Sequence, residues 1–503
     1  MISLSRTSIR GIPFSTTKRP PRQVRPRGQF AELCTHRPNS VRPTLDLHLP
    51  PVTHAGSAGI ITSSSTPPPN HSRRININID TPPLPSLLGF RAISSPRALS
   101  PRAFFTTSSA TWSTNNTMST AANDISNAAP ASSWVGNQGA AAFDMRSDTM
   151  TTPTLAMLHA INTTTLLDDV FEEDTTTSDL EAHVAALAGK EAGLFVLSGT
   201  MGNQIALRSL LTQPPHSVLC DSESHINKYE AGGVASLSGA LLTTVKPRNR
   251  RYLTLEDVEA NVILGDNVHI CPTRVVSLEN SLAGMVMPLS EVQRISSFAR
   301  EHGIHMHCDG ARLWEVVASG SGGSLSDFCA CFDTVSLCFS KGLGAPIGSI
   351  IVGTKDLIKR ARWIRKSIGG GLRQSGVVTA AARAAVDTTF GKDSSGRDGL
   401  LKGSHATALR VEKMWTELGG RVLHPVETNM VWLDLDSLGC SAARFQELGR
   451  EVGLKLLGNR LITHYQIGEE AIRRLAGVFQ QVAREHANGV GSGKGQSTGN
   501  YGQ

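Results

Sequence analysis

The sequence predicts an α/β fold with a mostly parallel, doubly wound sheet, followed by a smaller α+β domain. Two observations support this prediction. From Phe143 onwards, short apolar segments of strand length alternate with segments of helical periodicity, which is typical of a parallel sheet covered by helices. Two of the apolar segments, residues 304–308 and 334–339, end abruptly in charged or polar residues. In open parallel sheets, ligands bind just beyond the carboxyl ends of the strands.

Length and composition bound the architecture. With 503 residues, the chain is too long for one ordinary core and long enough for two or three domains. Its eight cysteines are scattered without a CxxC pair, so the sequence predicts a reducing compartment, and we expect neither a disulfide framework nor a metal site. No apolar stretch reaches about 18 residues, and we therefore expect no membrane span.

The positive charge is concentrated at the N-terminus. Residues 1–120 contain 14 Lys and Arg against 3 acidic residues, whereas the remainder contains 35 and 39, a net charge of −4. Because the remainder is mildly acidic, no nucleic-acid partner is expected. Residues 1–125 are rich in Pro, Ser, Thr and Arg and have little apolar periodicity. This composition predicts a disordered basic leader.

Two interpretations of the leader stay open. An arginine-rich, serine-rich and acid-poor segment has the composition of a mitochondrial transit peptide, and residues 97–109 look like the end of one. Alternatively, the gene model is too long and translation begins downstream, for example at Met118. The first interpretation predicts a mitochondrial protein, and the second is compatible with a cytoplasmic one.

Helix and strand signals alternate through residues 143–385, the predicted large domain. Ser178 and Glu181 form a capping-box pattern ahead of helical spacing, and Gly189 supplies a C-terminal stop. A second capped helix is predicted from Ser290 to Gly303. Strands are predicted at residues 193–197, 216–221, 274–279, 304–308, 334–339 and 348–352, and a basic helix at 355–366.

The pattern becomes sparser in residues 386–487, the predicted C-terminal domain. Helix-like segments at 403–417 and 468–487 flank the apolar run 429–435, which favours a small α+β unit. Residues 488–503 are rich in glycine and polar residues, and we expect them to be disordered.

Residues 305–345 carry the strongest functional signal. The first strand there delivers Asp309 and then Arg312, and the second delivers Ser340 and Lys341 into a glycine-rich turn. Pyridoxal phosphate needs an amine for its Schiff base and an acid partner for its pyridine nitrogen, and Lys341 with Asp309 would supply both. Taken singly, the lysine is equally compatible with a solvated loop, and the aspartate with a helix N-cap.

Weaker signals surround this pair. Gly199 and Thr200 lie in a turn that opens a helix, where backbone N–H groups can bind a phosphate. His225 follows a strand, and it either lies over a cofactor ring or is an ordinary polar residue. Residues 365–374 place cations on both sides of a triple glycine. That pattern fits carboxylate or phosphate binding as well as a surface loop.

Taken together, these segments resemble the low-specificity L-threonine aldolases, a family of pyridoxal-phosphate enzymes with the aspartate-aminotransferase-like fold, PLP fold type I. The matching stretches keep their order over residues 143–485. They are DMRSDTMTTPT from Asp144, GKEAGLFVLSGTMGNQIAL from Gly189, SHINKYEAGG from Ser224, HCDGARLWE from His307, SLCFSKGLGAPIGSIIVG from Ser336 and RKSIGGGLRQ from Arg365. Several long motifs in register are far more specific than any single one.

The resemblance implies a role for each matching residue. Lys341 would hold the cofactor covalently, Asp309 would pair with its pyridine nitrogen, and His225 would stack on its ring and serve as a base. Gly199, Thr200 and Ser340 would bind the cofactor phosphate, and Arg373 would reach it from a partner subunit. Arg312 would contact the ring oxygen of the cofactor and the substrate carboxylate. Ser147, Lys366 and Arg460 would line the carboxylate and phosphate region.

The implied reaction is retro-aldol cleavage of L-threonine or L-allo-threonine to glycine and acetaldehyde, which would serve threonine catabolism and glycine biosynthesis. The implied assembly is a homo-oligomer, a dimer or tetramer, with shared active sites. One departure lies at Leu282, where many bacterial members have a histidine that contacts the substrate hydroxyl. The preference between the two substrates therefore stays open. A second departure, Tyr465 and Gln466, affects only the alignment around Arg460.

Two other functions stay open. The same scaffold can carry another pyridoxal-phosphate reaction, such as β-elimination, racemisation or a specialised β-hydroxy-amino-acid synthesis, because a fold does not fix the chemistry. The products distinguish these reactions. The other alternative is a catalytically inactive scaffold protein with a basic arm. Intact Lys341, Asp309 and Arg312 argue against it, whereas a sample that stays colourless with added pyridoxal phosphate would support it.

Overall fold

The computed structural model describes residues 139–489, which contain a seven-stranded sheet, a three-stranded sheet and the helices that cover them. The predicted leader and residues 490–503 of the predicted tail lie outside this range. The large sheet consists of β1 (Ala192–Val196), β2 (Ser217–Asp221), β3 (Leu241–Val245), β4 (Thr273–Glu279), β5 (His305–Gly310), β6 (Thr334–Cys338) and β7 (Ser349–Gly353). The small sheet consists of β8 (Arg421–Val422), β9 (Met430–Asp434) and β10 (Arg460–Ile462).

The large sheet is mostly parallel, as the sequence predicts. Its strand order is β1-β7-β6-β5-β4-β2-β3, and the pairs from β3 through β2, β4 and β5 to β6 are all parallel. Only β7 runs the other way, antiparallel to both β6 and β1. The carboxyl ends of β2, β4, β5 and β6 therefore lie at one edge of the sheet, where a ligand site is expected.

Helices follow most of the strands. They are α1 (Leu155–Asn162), α2 (Thr175–Leu187), α3 (Gly199–Leu210), α4 (His225–Lys228), α5 (Gly233–Ser238), α6 (Leu255–Asn261), α7 (Leu289–Glu301), α8 (Leu313–Ala318), α9 (Leu325–Cys329), α10 (Lys355–Ser367), α11 (Gly376–Ala385), α12 (Leu401–Thr416), α13 (Ala442–Glu451) and α14 (Glu469–Ala487). Short helical turns occur at Ala140–Phe143, Asp148–Met150, Val386–Phe390 and Leu435–Leu438. None of the helices within residues 139–489 is both long and apolar enough to cross a bilayer.

The capping residues predicted for the two capped helices are wrong. α2 begins earlier than expected, because the carboxylate of Asp174 accepts a hydrogen bond from the Thr177 N–H at 2.9 Å and caps it. Ser178 therefore lies inside the helix. α7 is preceded by Pro288 and has no side-chain cap, so Ser290 is not a capping residue. In both cases a cap-like sequence pattern occurs within a helix that other residues start.

The strand β3 was not predicted. It lies at the edge of the large sheet, parallel to β2, and Leu241 at its start is 55% exposed. Because most of this strand is not buried, its sequence lacks the continuous apolar run by which the inner strands were found.

Two large hydrophobic clusters lie within the described residues. One surrounds the large sheet and contains Trp314, which packs edge-on against Phe390. The other joins the small sheet to α12, α13 and α14, and includes a contact between Trp415 and Phe479. Met145, from the first part of the described chain, also belongs to this second cluster. The boundary between domains at residue 385 stays a prediction.

Candidate active site

Two carboxyl groups, one buried and one half-buried, lie side by side at the carboxyl edge of the large sheet. Glu279 ends β4, and its register partner on β5 is Asp309. The backbone N–H of His225 donates to Glu279 Oε2 at 2.8 Å. Burial, and then the neighbouring charge of Asp309, raise the pKa of Glu279 from 4.5 to about 8. The site therefore favours the protonated form of Glu279.

Both oxygens of Asp309 are held by hydrogen bonds. The Ala311 N–H donates to Oδ1 at 3.1 Å, and the side-chain amide of Asn203 donates to Oδ2 at 2.7 Å. The helix α8 begins only at Leu313 and has Arg312 at its N-cap position. The alternative interpretation of Asp309 as a helix N-cap is therefore wrong, and the residue instead stabilises the turn that follows β5.

His225 is oriented by a third carboxylate. It is the first residue of α4, and its Nδ1 lies 2.8 Å from Oε1 of the buried Glu230. Burial lowers the pKa of His225, but the hydrogen bond to Glu230 and the charge of Asp309 outweigh it, so that the pKa is raised. A ring nitrogen of His225 and one carboxylate oxygen each of Glu230 and Asp309 lie within 4.8 Å of one another. With Nδ1 directed at Glu230, Nε2 is the ring atom left to meet a ligand.

Lys341 lies in the turn that follows β6. The Thr151 hydroxyl donates to its backbone oxygen at 3.2 Å. Its charge opposes the rise in the pKa of Glu279 and helps to lower the pKa of Asp148. The next residue, Gly342, packs closely against Glu315, since a Cβ there would lie 2.1 Å from a carboxylate oxygen of Glu315.

Arg312 is held by a buried ion pair. Its Nε donates to Asp148 Oδ2 at 2.8 Å and its Nη2 to Asp148 Oδ1 at 2.7 Å. Burial raises the pKa of Asp148, but the charge and hydrogen bonds of Arg312, with help from Lys341, lower it to about 2. The side-chain amide of Asn429 adds a longer contact to Asp148 at 3.4 Å. Arg312 is thus held in place by a residue that the sequence analysis had not selected.

The N-terminus of α3 lies close to the end of β6. A Cβ at Gly199 would be 2.8 Å from the sulfur of Cys338, so only glycine permits this approach. Ser198 caps the helix by accepting from the Met201 N–H at 3.1 Å, and Thr200 lies in the first turn. The first-turn N–H groups form an anion site of the kind that suits a phosphate.

The predicted site residues fall into two groups. Lys341, Asp309, His225 and Arg312 are joined by hydrogen bonds and charges at the sheet edge, as described above. Within residues 139–489, by contrast, none of the hydrogen bonds or ion pairs of Lys366 and Arg373 connects them to that group. Arg373 is 57% exposed and pairs with Asp168 at 2.7 Å.

Two further predicted site residues, Ser147 and Arg460, belong to or contact the segment around Asp148. Ser147 caps the short turn that contains Asp148. Arg460 begins β10, is buried, and donates from Nη2 to the Arg146 carbonyl at 3.1 Å. Its guanidinium also lies over the ring of Trp432. The ligand contacts expected of these residues, and of Ser340, stay predictions.

Several residues at this edge were missed by the sequence analysis, namely Asp148, Asn203, Glu230, Glu279 and His307. Four of them lie inside the stretches that carry the family resemblance, and Glu279 ends a predicted strand. Asp148 follows the predicted site residue Ser147, and Glu230 lies five residues after His225, its partner, so these two had a usable local signal. The partners of Asn203 and Asp148, by contrast, are distant in sequence and could not be inferred from spacing.

We predict that Glu279→Gln stabilises the cofactor-free protein at high pH. Since the folded-state pKa of Glu279 lies above its unfolded value, its stabilising contribution is complete below about pH 4.5 and is lost as the pH rises through about 8. A glutamine resembles the protonated form at every pH. The melting temperature of the variant should therefore exceed that of the native protein near pH 9 and match it near pH 5.

Glu256→Gln provides the matched control. Arg294 lowers the pKa of this exposed carboxyl to about 2, so its replacement should give no gain at high pH. Equal melting temperatures for Glu279→Gln and the native protein across the pH range would contradict the raised pKa.

The donors and acceptors at this edge fit pyridoxal phosphate. Lys341 offers the amine, Asp309 offers an acid partner that is already held at both oxygens, and the first-turn N–H groups of α3, which begins at Gly199, offer an anion site. These are the three groups that the cofactor requires.

Known proteins resemble this chain over its described region. The family model for beta-eliminating lyases matches residues 144–437. The chain is 58% identical over 344 residues to aldolase vrtJ of Penicillium aethiopicum, covering 68% of this chain and 87% of that protein. It is 47% identical over 349 residues to alanine racemase TOXG of Cochliobolus carbonum, covering 69% and 90%. It is 44% identical over 336 residues to the low-specificity L-threonine aldolase of Eremothecium gossypii, covering 67% and 86%.

Solved structures share the fold. The threonine aldolase of Leishmania major superposes with a TM-score of 0.56 at 19% identity, covering 68% of this chain and 99% of that one. A structure described as SPT with PLP superposes with a TM-score of 0.52 at 16% identity, covering 69% and 88%. Together with the fit of the sheet edge to the cofactor, the family model and the sequence relatives establish that the chain belongs to the beta-eliminating lyase family, as a lyase of the threonine aldolase type whose cofactor is pyridoxal phosphate.

Proposed function

We propose that this protein cleaves L-threonine or L-allo-threonine to glycine and acetaldehyde by a retro-aldol reaction. The observation that carries the proposal is the cluster at the carboxyl edge of β4, β5 and β6. It contains the amine of Lys341, the carboxylate of Asp309 with both oxygens hydrogen-bonded, and the imidazole of His225 oriented by a hydrogen bond. The relative from Eremothecium gossypii, named a low-specificity L-threonine aldolase, supports the choice of substrate.

Bound pyridoxal phosphate supplies an electron sink for the pair of electrons released when the Cα–Cβ bond breaks. Lys341 would hold the cofactor through Nζ. Asp309 would pair with the pyridine nitrogen and favour its protonated form, and the hydrogen bonds from Asn203 and the Ala311 N–H hold this carboxylate in place. Arg312, held by Asp148, would orient the substrate carboxylate.

His225 takes the proton of the β-hydroxyl at Nε2. The hydrogen bond between Nδ1 and Glu230 fixes the ring, so the other nitrogen faces the substrate. Removal of the hydroxyl proton allows that oxygen to form the aldehyde carbonyl as the Cα–Cβ bond breaks. A proton then returns to Cα and glycine leaves. General-base help of this kind contributes about 10²–10⁴ in rate.

Racemisation of an amino acid is a second candidate. It is favoured by the 47% identity to the protein named alanine racemase TOXG. The same Lys341 and Asp309 would serve that reaction, since only the bond broken at Cα differs. The loop at Leu282 lacks the histidine expected to contact the substrate hydroxyl, so this residue does not tie the site to a β-hydroxy substrate.

We also propose that the protein is a homo-oligomer in which Arg373 reaches the phosphate region of a neighbouring subunit. Support comes from its exposed position beside large apolar side chains. Arg373 pairs with Asp168, and the nearby residues Leu166 and Phe171 are 62% and 70% exposed. A second copy of the chain covering this surface would bury these two side chains. It would also bring the Arg373 guanidinium to the phosphate region of the neighbouring subunit, whereas Arg373 is not connected to the site of its own chain.

The first test measures products. Native protein with pyridoxal phosphate and L-threonine or L-allo-threonine is expected to release glycine and acetaldehyde in equal amounts, and Lys341→Ala to release neither. Borohydride should fix the cofactor on the Lys341 peptide of the native protein. Lys355→Ala, an exposed lysine at the start of α10, is the control and should behave as native. Fixation on a different lysine would refute the assignment, and D-alanine formed from L-alanine without acetaldehyde from threonine would favour racemisation.

The second test concerns Asp309. Asp309→Asn keeps the shape and removes the charge that holds the proton on the ring nitrogen. Loss of a charge-assisted hydrogen bond of about 1.5–3 kcal/mol already slows turnover roughly tenfold to more than a hundredfold, and the weaker electron sink slows it further. Turnover must be compared at equal cofactor occupancy. Native turnover at full occupancy would be incompatible with the pairing, and a defect confined to cofactor binding would assign Asp309 a structural role.

The third test concerns the shared site. Lys341→Ala chains, expected to be inactive alone, and Arg373→Ala chains, expected to be weakly active alone, are mixed after mild dissociation. If Arg373 acts across subunits, mixed oligomers contain some sites with native Lys341 and native Arg373, and activity returns. If it acts within its own chain, each site lacks one residue and the mixture stays as weak as its components.

A further inference from the structure

A buried polar chain runs behind Asp309. On α3, the side-chain Nδ2 of Asn203 lies 2.7 Å from Asp309 Oδ2 and 2.8 Å from Glu230 Oε1. Its Oδ1 lies 3.2 Å from His307 Nε2, and His307 Nδ1 lies 2.9 Å from the hydroxyl of Thr334. All five residues are at most 5% exposed. Buried polar groups of this kind must satisfy one another, because water cannot.

The orientation of the Asn203 amide follows from the chemistry of its partners. Ionised carboxylates only accept hydrogen bonds, so the two hydrogens of Nδ2 are directed to Asp309 and Glu230, one to each. Its Oδ1 is then left for His307, and an oxygen can only accept. His307 must therefore carry its proton on Nε2.

The tautomer of His307 is fixed from its other side as well. Burial lowers the pKa of His307 to about 4, so the ring is neutral and carries one proton. With that proton on Nε2, Nδ1 accepts a hydrogen bond from the Thr334 hydroxyl. Thr334 on β6 is also the strand partner of His307 on β5, which holds the two side chains at the same level.

A single amide thus connects the two parts of the site. Asn203 holds Asp309 directly and holds His225 through Glu230, whose Oε1 accepts from both Asn203 and His225 Nδ1. If the amide turned over, its oxygen would face two carboxylates and its NH2 group would face the N–H of His307. The proton on His307 Nε2 prevents this reversal.

We propose that Asn203 and His307 are positioning residues that hold the carboxylate of Asp309 in a single orientation and couple it to the pair formed by Glu230 and His225. This inference rests on the proposed function, in which Asp309 keeps the pyridine nitrogen of the cofactor protonated. Neither residue touches the substrate. Their effect is exerted through Asp309 on the spectrum and occupancy of the bound cofactor, and through both Asp309 and His225 on turnover.

The first experiment observes the tautomer without using the reaction. Full-length protein labelled with ¹⁵N-histidine is studied by NMR with and without pyridoxal phosphate, and the signals of His307, one of 16 histidines, are assigned by their loss in His307→Gln. We expect a neutral ring protonated at Nε2 in both forms, unchanged from about pH 6 to 8. A ring protonated at Nδ1, or one that titrates in this range, would overturn the inference.

The second experiment compares matched variants of the holoenzyme. Asn203→Leu and His307→Leu should lower kcat by roughly tenfold or more and change the absorbance of the bound cofactor in the same direction as Asp309→Asn. His307→Gln retains a donor for the oxygen of Asn203 and should restore most of both signals. The control His216→Leu removes another buried histidine, which contacts the Ser238 carbonyl. It should lower the melting temperature and leave the cofactor absorbance native.

The outcomes separate this inference from the proposed function. If Asp309→Asn slows turnover and alters the absorbance while Asn203→Leu and His307→Leu do neither, the positioning role is wrong and the proposed function stands. If Asp309→Asn itself has no effect at full occupancy, the proposed function fails, and the inference fails with it. If His307→Gln is as impaired as His307→Leu, the donor at Nε2 is not what positions Asp309, and the inference is again overturned.

Discussion

The site is organised by the burial of neighbouring carboxyl groups at one edge of the large sheet. Because β4 and β5 are parallel and in register, Glu279 and Asp309 end at the same level. Two charges at this spacing cannot both be ionised cheaply in a buried site. The pKa of Glu279 rises, first through burial and then through the charge of Asp309. The carboxylate of Asp309 is held at both oxygens by hydrogen bonds.

The surrounding residues supply the hydrogen-bond donors and the positive charge that the neighbouring carboxyl groups require. Asn203 supplies two hydrogens, the His225 N–H supplies one, and Lys341 supplies a positive charge nearby. The pair between Arg312 and Asp148 follows the same rule, since a buried charge is stable only when it is paired. Removing one member of such a network leaves its partner buried and unpaired, which costs more than the lost contact itself.

The C-terminal part of the chain supports the site and bounds it. Asn429 reaches Asp148, and His405 lies 2.6 Å from Glu315, whose other oxygen faces the turn after Lys341. Trp432 donates to the carbonyl of Ala283 at 2.9 Å and so holds the loop that contains Leu282. Relatives with different names share this fold, so differences in reaction are more naturally sought in such bounding loops than in the cluster at the sheet edge.

The sequence by itself determined six of the seven strands of the large sheet and the polar residues at or just beyond their ends, including Lys341, Asp309 and Arg312. These features are local, because an apolar run and the polar residue that ends it are adjacent in the chain. The exposed strand β3 and the cap at Asp174 have weaker local signals, and both were missed. Only the tertiary structure decided that Asn203, 106 residues away, holds Asp309, and that Asp148, 164 residues away, holds Arg312. Such partners are chosen by strand order and burial, which bring distant residues together regardless of their spacing.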